Sequence, residues 1–416
     1  MNNKSDQTGA QTLLGSLVGG AAGAEQLVRV SDHLWVSKDV SDSILIVTDA
    51  GNVVVNTGMP GNGDKHRQRF RTESSQSLEY IIITQCHGDH FGGAAELRDP
   101  DTRIITQQRY EECREYWRRL DEFYARRSGK LWGSLLKNRG EIQAKIEEVT
   151  PDITFDEQYS FELGGIQFEL YAAPGGESED GVVVWLPQDR LLISGNLFGP
   201  LFGNMPNLYT IRGDKIRSAK RFIKSLDVVC ELHPAVLVTG HEVITGEEEI
   251  RRALARLRDA VLFVHDYTID GMNAGKDVHT LMNDIVLPDH LHVAQGHGKL
   301  AWCVRAIWEE YAGWFHYDAT TSLYGIPVSS VAADIVELAG GVDPLAARAE
   351  HYLARQQPLQ ALHLLETALA VEPVNTRALQ AKVAAHQQLL AISRGENFSE
   401  VMWLKSEIAS AQVLYE

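Results

Sequence analysis

Apolar runs of three to five residues recur through the first two thirds of the chain, and Ala/Leu-rich helical stretches fill the last third. Val28-Arg29-Val30, Leu34-Trp35-Val36, Ile44-Leu45-Ile46-Val47 and Val53-Val54-Val55 are parted by Ser/Asp and Asp-Ala-Gly-Asn turn signals, which predicts a meander of strands. A helix is expected over 66–72. Tyr80-Ile81-Ile82-Ile83 reads as a buried strand, and Arg103 to Thr106 as another. Ile153-Thr154-Phe155 and the alternating Ile166-Gln167-Phe168-Glu169-Leu170 are strands. Val182 to Leu186 and Leu191 to Ser194 form a hairpin around Pro187-Gln188-Asp189, and Val236 to Thr239 is a further strand. Helical patterning covers Gln107 to about Val149, Arg251 to Tyr267, most of 271–317, and nearly all of Val331 to Glu416.

This distribution reads as α+β, with strands first and an all-α end. After Tyr324-Gly325-Ile326-Pro327 the character changes. Ala346-Ala347-Arg348-Ala349, Ala361-Leu362-His363-Leu364-Leu365 and Ala378-Leu379-Gln380-Ala381 read as packed antiparallel helices of tetratricopeptide-like type. The expected division is a tail over 1–25, a larger domain over 26–327 with a helical insert at about 107–149, and a helical domain over 328–416. The tail carries a Gly/Ala-rich apolar patch that is short and broken by glycine. It reads as a flexible or docking segment of a cytoplasmic protein, the alternative being a secretory signal and a periplasmic location.

With 416 residues there is ample chain for a large core. The net charge of −17 argues against nucleic acid or an anionic membrane as partner, though a local positive site can still take an anionic substrate. No apolar run reaches membrane-spanning length. Cys86, Cys113, Cys230 and Cys303 are far apart and show neither metal-ligand nor disulfide spacing.

The candidate chemistry centres on Thr84-Gln85-Cys86-His87-Gly88-Asp89-His90-Phe91-Gly92-Gly93, which follows the strand at Tyr80. Three strong ligand types fall within four residues on a glycine-bearing loop at a strand's carboxyl end, where a metal such as zinc accepts imidazole nitrogen and carboxylate oxygen. Cys86 reads as a small filler rather than a ligand. In the insert, Tyr110, Tyr116, Trp117, Leu120, Phe123 and Tyr124 read as the packing of a helical pair covering the site, with an aromatic wall for an apolar substrate tail as the alternative.

The motif resembles the His-x-His-x-Asp-His signature of the metallo-β-lactamase superfamily, with Gln85 in place of the first histidine and with His87, Asp89 and His90 matching. That resemblance implies an αββα sandwich. It implies a last metal ligand at His241, in Thr239-Gly240-His241, and Asn56 falls where the superfamily usually has a supporting aspartate. In Ala173-Pro174-Gly175-Gly176-Glu177-Ser178-Glu179 the usual histidine is missing; the loop is similar to one in bacterial alkylsulfatases whose glutamate takes that role, which maps onto Glu177, with Glu179 as competitor. Asn196 lies where a carboxylate normally bridges two metals. Asn207-Leu208-Tyr209-Thr210-Ile211-Arg212-Gly213 is similar to the alkylsulfatase segment whose arginine holds the sulfate; on residue type alone Arg212 reads equally as a surface ion pair. Glu337 to Gly341 and Asn397 to Leu404 resemble the alkylsulfatase dimerisation domain, which implies a homodimer. The resemblance stops short of the sterol-carrier-like domain that often follows in that family, so that aid to handling greasy substrates is expected to be missing.

The resemblance thus implies a metal-dependent hydrolase of a small anionic ester, an alkyl sulfate first. One or two Zn2+ would be held per chain by Asp89, His90 and His241 and, more weakly, by Gln85, His87 and Glu177, with Asn196 beside them. Asp89, Arg212 and Tyr209 would be catalytic, and Asn207, Tyr209 and Arg212 would bind the sulfate. The alternatives are a lactam, lactone or thioester substrate, or a catalytically weakened dimeric binding protein, to which Asn56, Gln85 and Asn196 point. His279, His290, His292 and His297 fit no metal spacing and are expected to play ordinary polar roles, as is His233.

Overall fold

A computed structural model describes residues 27–136 and 146–415. They divide into two compact units, one within Thr12–Arg126 and Leu135–Tyr311, the other within Arg127–Ser134 and Ala312–Glu416. The tail and part of the expected insert, 137–145, lie outside the described residues. The units part at Tyr311, earlier than the change of composition at 327, because the first unit ends with its last helix whereas the Ala/Leu-rich helices begin only at Ala332.

In the first unit, β1 (Leu27–Arg29), β2 (Leu34–Ser37), β3 (Ser43–Thr48) and β4 (Gly51–Val55) form the expected antiparallel meander. Parallel to β4 run β5 (Leu78–Ile82), β6 (Arg103–Gln107) and β7 (Ile153–Phe155). A second sheet takes β8 (Gln158–Leu163), β9 (Ile166–Ala172), β10 (Val182–Leu186), β11 (Leu191–Gly195), β12 (Val236–Thr239) and β13 (Val243–Thr245), antiparallel except for the parallel pair β11 and β12.

The strand period explains the layering. Along β4, Val53 and Val55 meet Phe168, Leu170 and Val184 of the second sheet, while Val54 turns the other way, to a cluster with Phe91 and Tyr110. A strand buried on both faces must be apolar at every position, which is why β4 and β5 read as continuous runs. Phe161 and Phe168 stack between the layers, ring centroids 4.7 Å apart. On the first sheet's outer face lie α1 (Gly63–Phe70), α2 (Gly88–Phe91), α3 (Ala94–Leu97) and α4 (Tyr110–Arg119), which α5 (Asp121–Leu136) follows. On the second sheet's outer face Val183, Leu192 and Leu237 pack with α6 (Ala219–Leu232), α7 (Glu247–Asn273), α8 (Val278–Asp284) and α9 (Leu300–Ala312).

The parallel pairs decide where the site forms. β4 and β5 end together, as do β11 and β12, so four loops open at one end of the sandwich. Backbone bonds between the sheets fix that end: Val182 donates to the Thr84 carbonyl at 2.8 Å, and Asp42 to the Gly240 carbonyl at 2.7 Å.

The second unit is all-α, with α10 (Ala332–Leu338), α11 (Val342–Ala354), α12 (Pro358–Val371), α13 (Thr376–Ile392) and α14 (Phe398–Gln412). Its core is alanine-rich, with Ala346, Ala349, Ala361, Ala368, Ala378 and Ala385 fully buried, so the helices approach closely. Asn375 and Asn397 cap α13 and α14 by accepting from the Ala378 and Glu400 amides. No helix among the described residues is long and apolar enough to cross a membrane.

Candidate active site

The motif begins on a backbone hinge. Asn56, just past β4, has φ of 58°, a left-handed conformation that asparagine tolerates better than most residues. Its Oδ1 accepts from both the amide and the hydroxyl of Thr84, each at 3.0 Å. Because the Thr84 hydroxyl spends its proton there, its oxygen accepts from His90 Nδ1 at 3.2 Å, which leaves His90 Nε2 as the ring's lone-pair nitrogen. Asn56 thus still orients the motif, though it lacks the charge of an aspartate.

The motif is not wholly loop. His87 stands at the start of α2, with extended backbone, and Asp89 and His90 sit on that helical turn. His90 is fully buried, and burial pushes its pKa down. Burial would raise the Asp89 carboxyl, but His90, His87 and the hydroxyl of Ser41, which donates to Oδ2 at 2.6 Å, hold it below its usual value. Asp89 Oδ2 lies 3.8 Å from His90 Nε2.

Gln85 presents its amide nitrogen inward, 2.8 Å from His87 Nδ1, 3.1 Å from His90 Nε2 and 3.3 Å from Glu177 Oε2. In the opposite loop Glu177, and not Glu179, is the residue that meets Gln85 and His87. Asn196, after β11, donates to Glu177 Oε2 at 3.1 Å. His87 Nδ1 lies 3.7 Å from the same oxygen, and His297 Nε2 lies 3.4 Å from Oε1. Burial would raise the Glu177 carboxyl, yet the contacts with His297 and His87 hold it well below the usual range, so it is an anion. Glu179 instead pairs with Arg109 and Arg221.

His241 follows β12. It is 6% exposed, and neither ring nitrogen has a hydrogen-bond partner. Burial lowers its pKa to about 4, so the ring is neutral. Gly240 before it leaves room for Asn196: a Cβ there would lie 2.1 Å from Asn196 Oδ1 and would push that side chain aside. A buried neutral imidazole with two unpaired nitrogens, facing an ionised Asp89 and Glu177, has the donor set of a zinc ligand. The residues present therefore fit a metal.

Arg212 and Trp117 complete the arrangement. The Arg212 guanidinium lies 4.7 Å over the Trp117 ring, and Trp117 meets the His87 ring edge-on at 5.1 Å. Burial lowers the Arg212 pKa, with Asp214 opposing. Arg217, 5% exposed, donates to the Asn207 carbonyl at 2.8 Å and reaches Asp214 Oδ2 at 3.4 Å; Asp214 is 4.0 Å from His87 Nε2. Asn207 is buried, and its Oδ1 has no hydrogen-bond partner. Tyr209 is half-buried and packs on the cluster under the second sheet.

Residues 36–241 match the Metallo-beta-lactamase superfamily model, and residues 278–403 the Alkyl sulfatase dimerisation model. One chain thus carries a region similar to the metallo-beta-lactamase superfamily followed by a region similar to the alkyl sulfatase dimerisation family. It is 27% identical over 338 residues to a linear primary-alkylsulfatase of Pseudomonas sp., covering 74% of this chain and 63% of that protein. It is 24% identical to an alkyl/aryl-sulfatase of Saccharomyces cerevisiae, covering 87% and 60%. The solved stereoselective inverting sec-alkylsulfatase of Pseudomonas sp. superposes with a TM-score of 0.82 at 21% identity over 93% of this chain and 65% of that one. The chain therefore spans about three fifths of the length of the curated relatives it matches.

Three further residues shape this candidate site beyond those expected to hold a metal or an anion. His297 was set aside with the other histidines, but Gly199 lets it in: φ there is +68°, and a Cβ would lie 2.5 Å from the His297 ring. The flanking Gly296 and Gly298 were the available signal. Trp117 was read as packing and proves to touch both His87 and Arg212. Arg217, four positions beyond Gly213, carries a second buried charge beside the Asn207–Gly213 segment.

Proposed function

We propose that the chain hydrolyses an alkyl sulfate or closely related anionic ester at a metal centre. The observation that carries this is Trp117, one side chain that packs Arg212 against one face and His87 against its edge. An anion-binding fork is thereby held beside the metal-ligand cluster. In a chain of net charge −17, Arg212 and Arg217 supply the local positive site that a sulfate requires. The guanidinium offers a planar pair of donors to two sulfate oxygens, and its stacking on Trp117 removes the rotamer freedom that binding would otherwise have to freeze.

Asp89, His90 and His241 would hold one ion, and His87, Glu177 and Gln85 a second. When bound, such an ion supplies a Lewis acid and a water of lowered pKa. The chain's own part is to keep Asp89 and Glu177 ionised and His90 and His241 neutral, and to fix the tautomer of His90 through Thr84. For Gln85 to ligate through oxygen its amide must turn, since its nitrogen faces the ligands. The second site is therefore the weaker.

We further propose a homodimer through the helical unit. Trp314, Tyr317, Tyr324, Ile326 and Leu338 are all more than 65% exposed, an apolar set suited to a partner's surface.

The test is sulfate release from linear and secondary alkyl sulfates by zinc-loaded and chelator-treated protein. Metal-dependent sulfate release supports the reading. No release at full zinc occupancy overturns it and favours the weakened binding protein, to which the inward amide of Gln85 and the missing bridging carboxylate at Asn196 already point.

A further inference from the structure

Beneath the motif, three residues that the proposed chemistry does not use converge. Cys86 lies between Gln85 and His87, Cys113 is on α4, and Asp180 is in the loop after Glu177. Their ligating atoms, two sulfurs and a carboxylate oxygen, all lie within 4.8 Å of one another. Cys86 and Asp180 are each 1% exposed and Cys113 6%. Sequence reasoning saw four scattered cysteines; the fold brings two of them to one carboxylate.

Plain packing accounts for the thiols but not for the acid. Ser178 Oγ donates to Asp180 Oδ1 and lies 3.6 Å from Cys86 Sγ, while Asp180 Oδ2 is buried with no nitrogen or oxygen to bond it and with the Cys86 thiol beside the carboxyl. Leaving a buried carboxylate oxygen unsatisfied is costly, and native interiors seldom do so without a bound group to answer it. Two sulfurs and a carboxylate are three donors of the kinds that zinc takes, and a fourth position is left for water or the adjacent Ser178 hydroxyl. The buried Arg114 guanidinium, itself paired with Glu148, donates to the Cys86 carbonyl at 3.0 Å and so ties α4 to the motif.

We propose that Cys86, Cys113 and Asp180 form a second, structural metal site for Zn2+ or another thiophilic divalent ion, distinct from the imidazole and carboxylate site above it. Both thiols release their protons to solvent on ligation, and Ser178 Oγ or a water fills the fourth position. The bound ion fastens three segments together: the motif, α4 and the 173–181 loop. Those segments carry His87, Trp117 and Glu177, so this site is built to hold the active-site loops in register.

The test uses the full chain loaded with Co2+, whose thiolate ligation gives an intense near-ultraviolet charge-transfer band. The other site offers only nitrogen and oxygen, so the band reports on this one. It is expected in the wild type, in Cys230→Ser and in His241→Ala, and lost in Cys86→Ser and Cys113→Ser. Zinc content should fall by about one ion per chain in Cys113→Ser, and Asp180→Asn should weaken cobalt binding about 10–100-fold. X-ray absorption of the zinc-loaded wild type should show sulfur at roughly 2.3 Å. No thiolate band and no sulfur scatterer in the wild type would overturn the proposal whatever the variants do. So would a band that survives Cys113→Ser, because Cys86 would then be turning into the neighbouring site.

Discussion

Replacing Glu177 by glutamine tests the heart of the candidate site. The carboxylate is ionised despite burial and receives Gln85, Asn196, His87 and His297 within 3.1 to 3.7 Å. The amide that replaces it keeps the shape but loses the charge, and its NH2 must face donors that already point at it. A unit charge removed about 4 Å from a bound cation costs about 4 kcal/mol at an effective dielectric of about 20. Every 1.4 kcal/mol is about tenfold in affinity, so zinc binding should weaken by roughly 100- to 1,000-fold. The assay is competition for zinc against a chromophoric chelator, run beside Glu179→Gln. Glu179 is bound to Arg109 and Arg221 instead, so that variant should bind zinc within about threefold of wild type. Because the folded state favours the anion, the amide should also lower the stability of the metal-free fold, which urea unfolding measures separately from zinc affinity. Equal zinc affinity in Glu177→Gln and wild type, or an equal loss in both variants, would refute the assignment of Glu177 and the reasoning from its contacts.

Arg212→Lys should lower kcat/KM for alkyl sulfates by about 100-fold, because an ammonium neither stacks on Trp117 nor offers a planar fork; retention of most activity would count against sulfate recognition there. Trp117→Ala should cost activity through both Arg212 and His87, and a double-mutant cycle with Arg212→Lys should show non-additivity; additive losses would mean that the stacking is incidental. Phe168→Ala removes a fully buried ring stacked on Phe161 and should destabilise by about 3–5 kcal/mol in urea unfolding. Burial raises the Asp42 carboxyl from 3.8 to about 6 against the opposing pull of Lys38. The folded state therefore holds the proton more tightly than the unfolded one, and this group's contribution falls by about 3 kcal/mol as pH rises from about 4 to about 6. Asp42→Asn should abolish that part of the pH dependence, and an unchanged stability profile from pH 4 to 7 would contradict the shift.

Local pattern was enough for much of this molecule. The meander from Val28 to Val55, the hairpin around Pro187-Gln188-Asp189 and the Ala/Leu helices after Ala332 are legible because strand and helix periods are written in neighbouring residues. The motif at His87, Asp89 and His90 is legible for the same reason, since its candidate ligands fall within four residues. What the sequence could not decide is what meets what across the fold. Trp117 and Phe123 lie on neighbouring helices with the same amphipathic look, yet Trp117 reaches His87 and Phe123 is 39% exposed. His297 and His290 look alike, but only the loop closed by Gly199 brings His297 to Glu177. Cys86 and Cys113 have no meaningful spacing until β5 and α4 pack together and set them beside Asp180. Ligand identity is a local property of a side chain, whereas a site is a convergence of distant segments, and that convergence is decided by which strand ends share an edge of the sandwich.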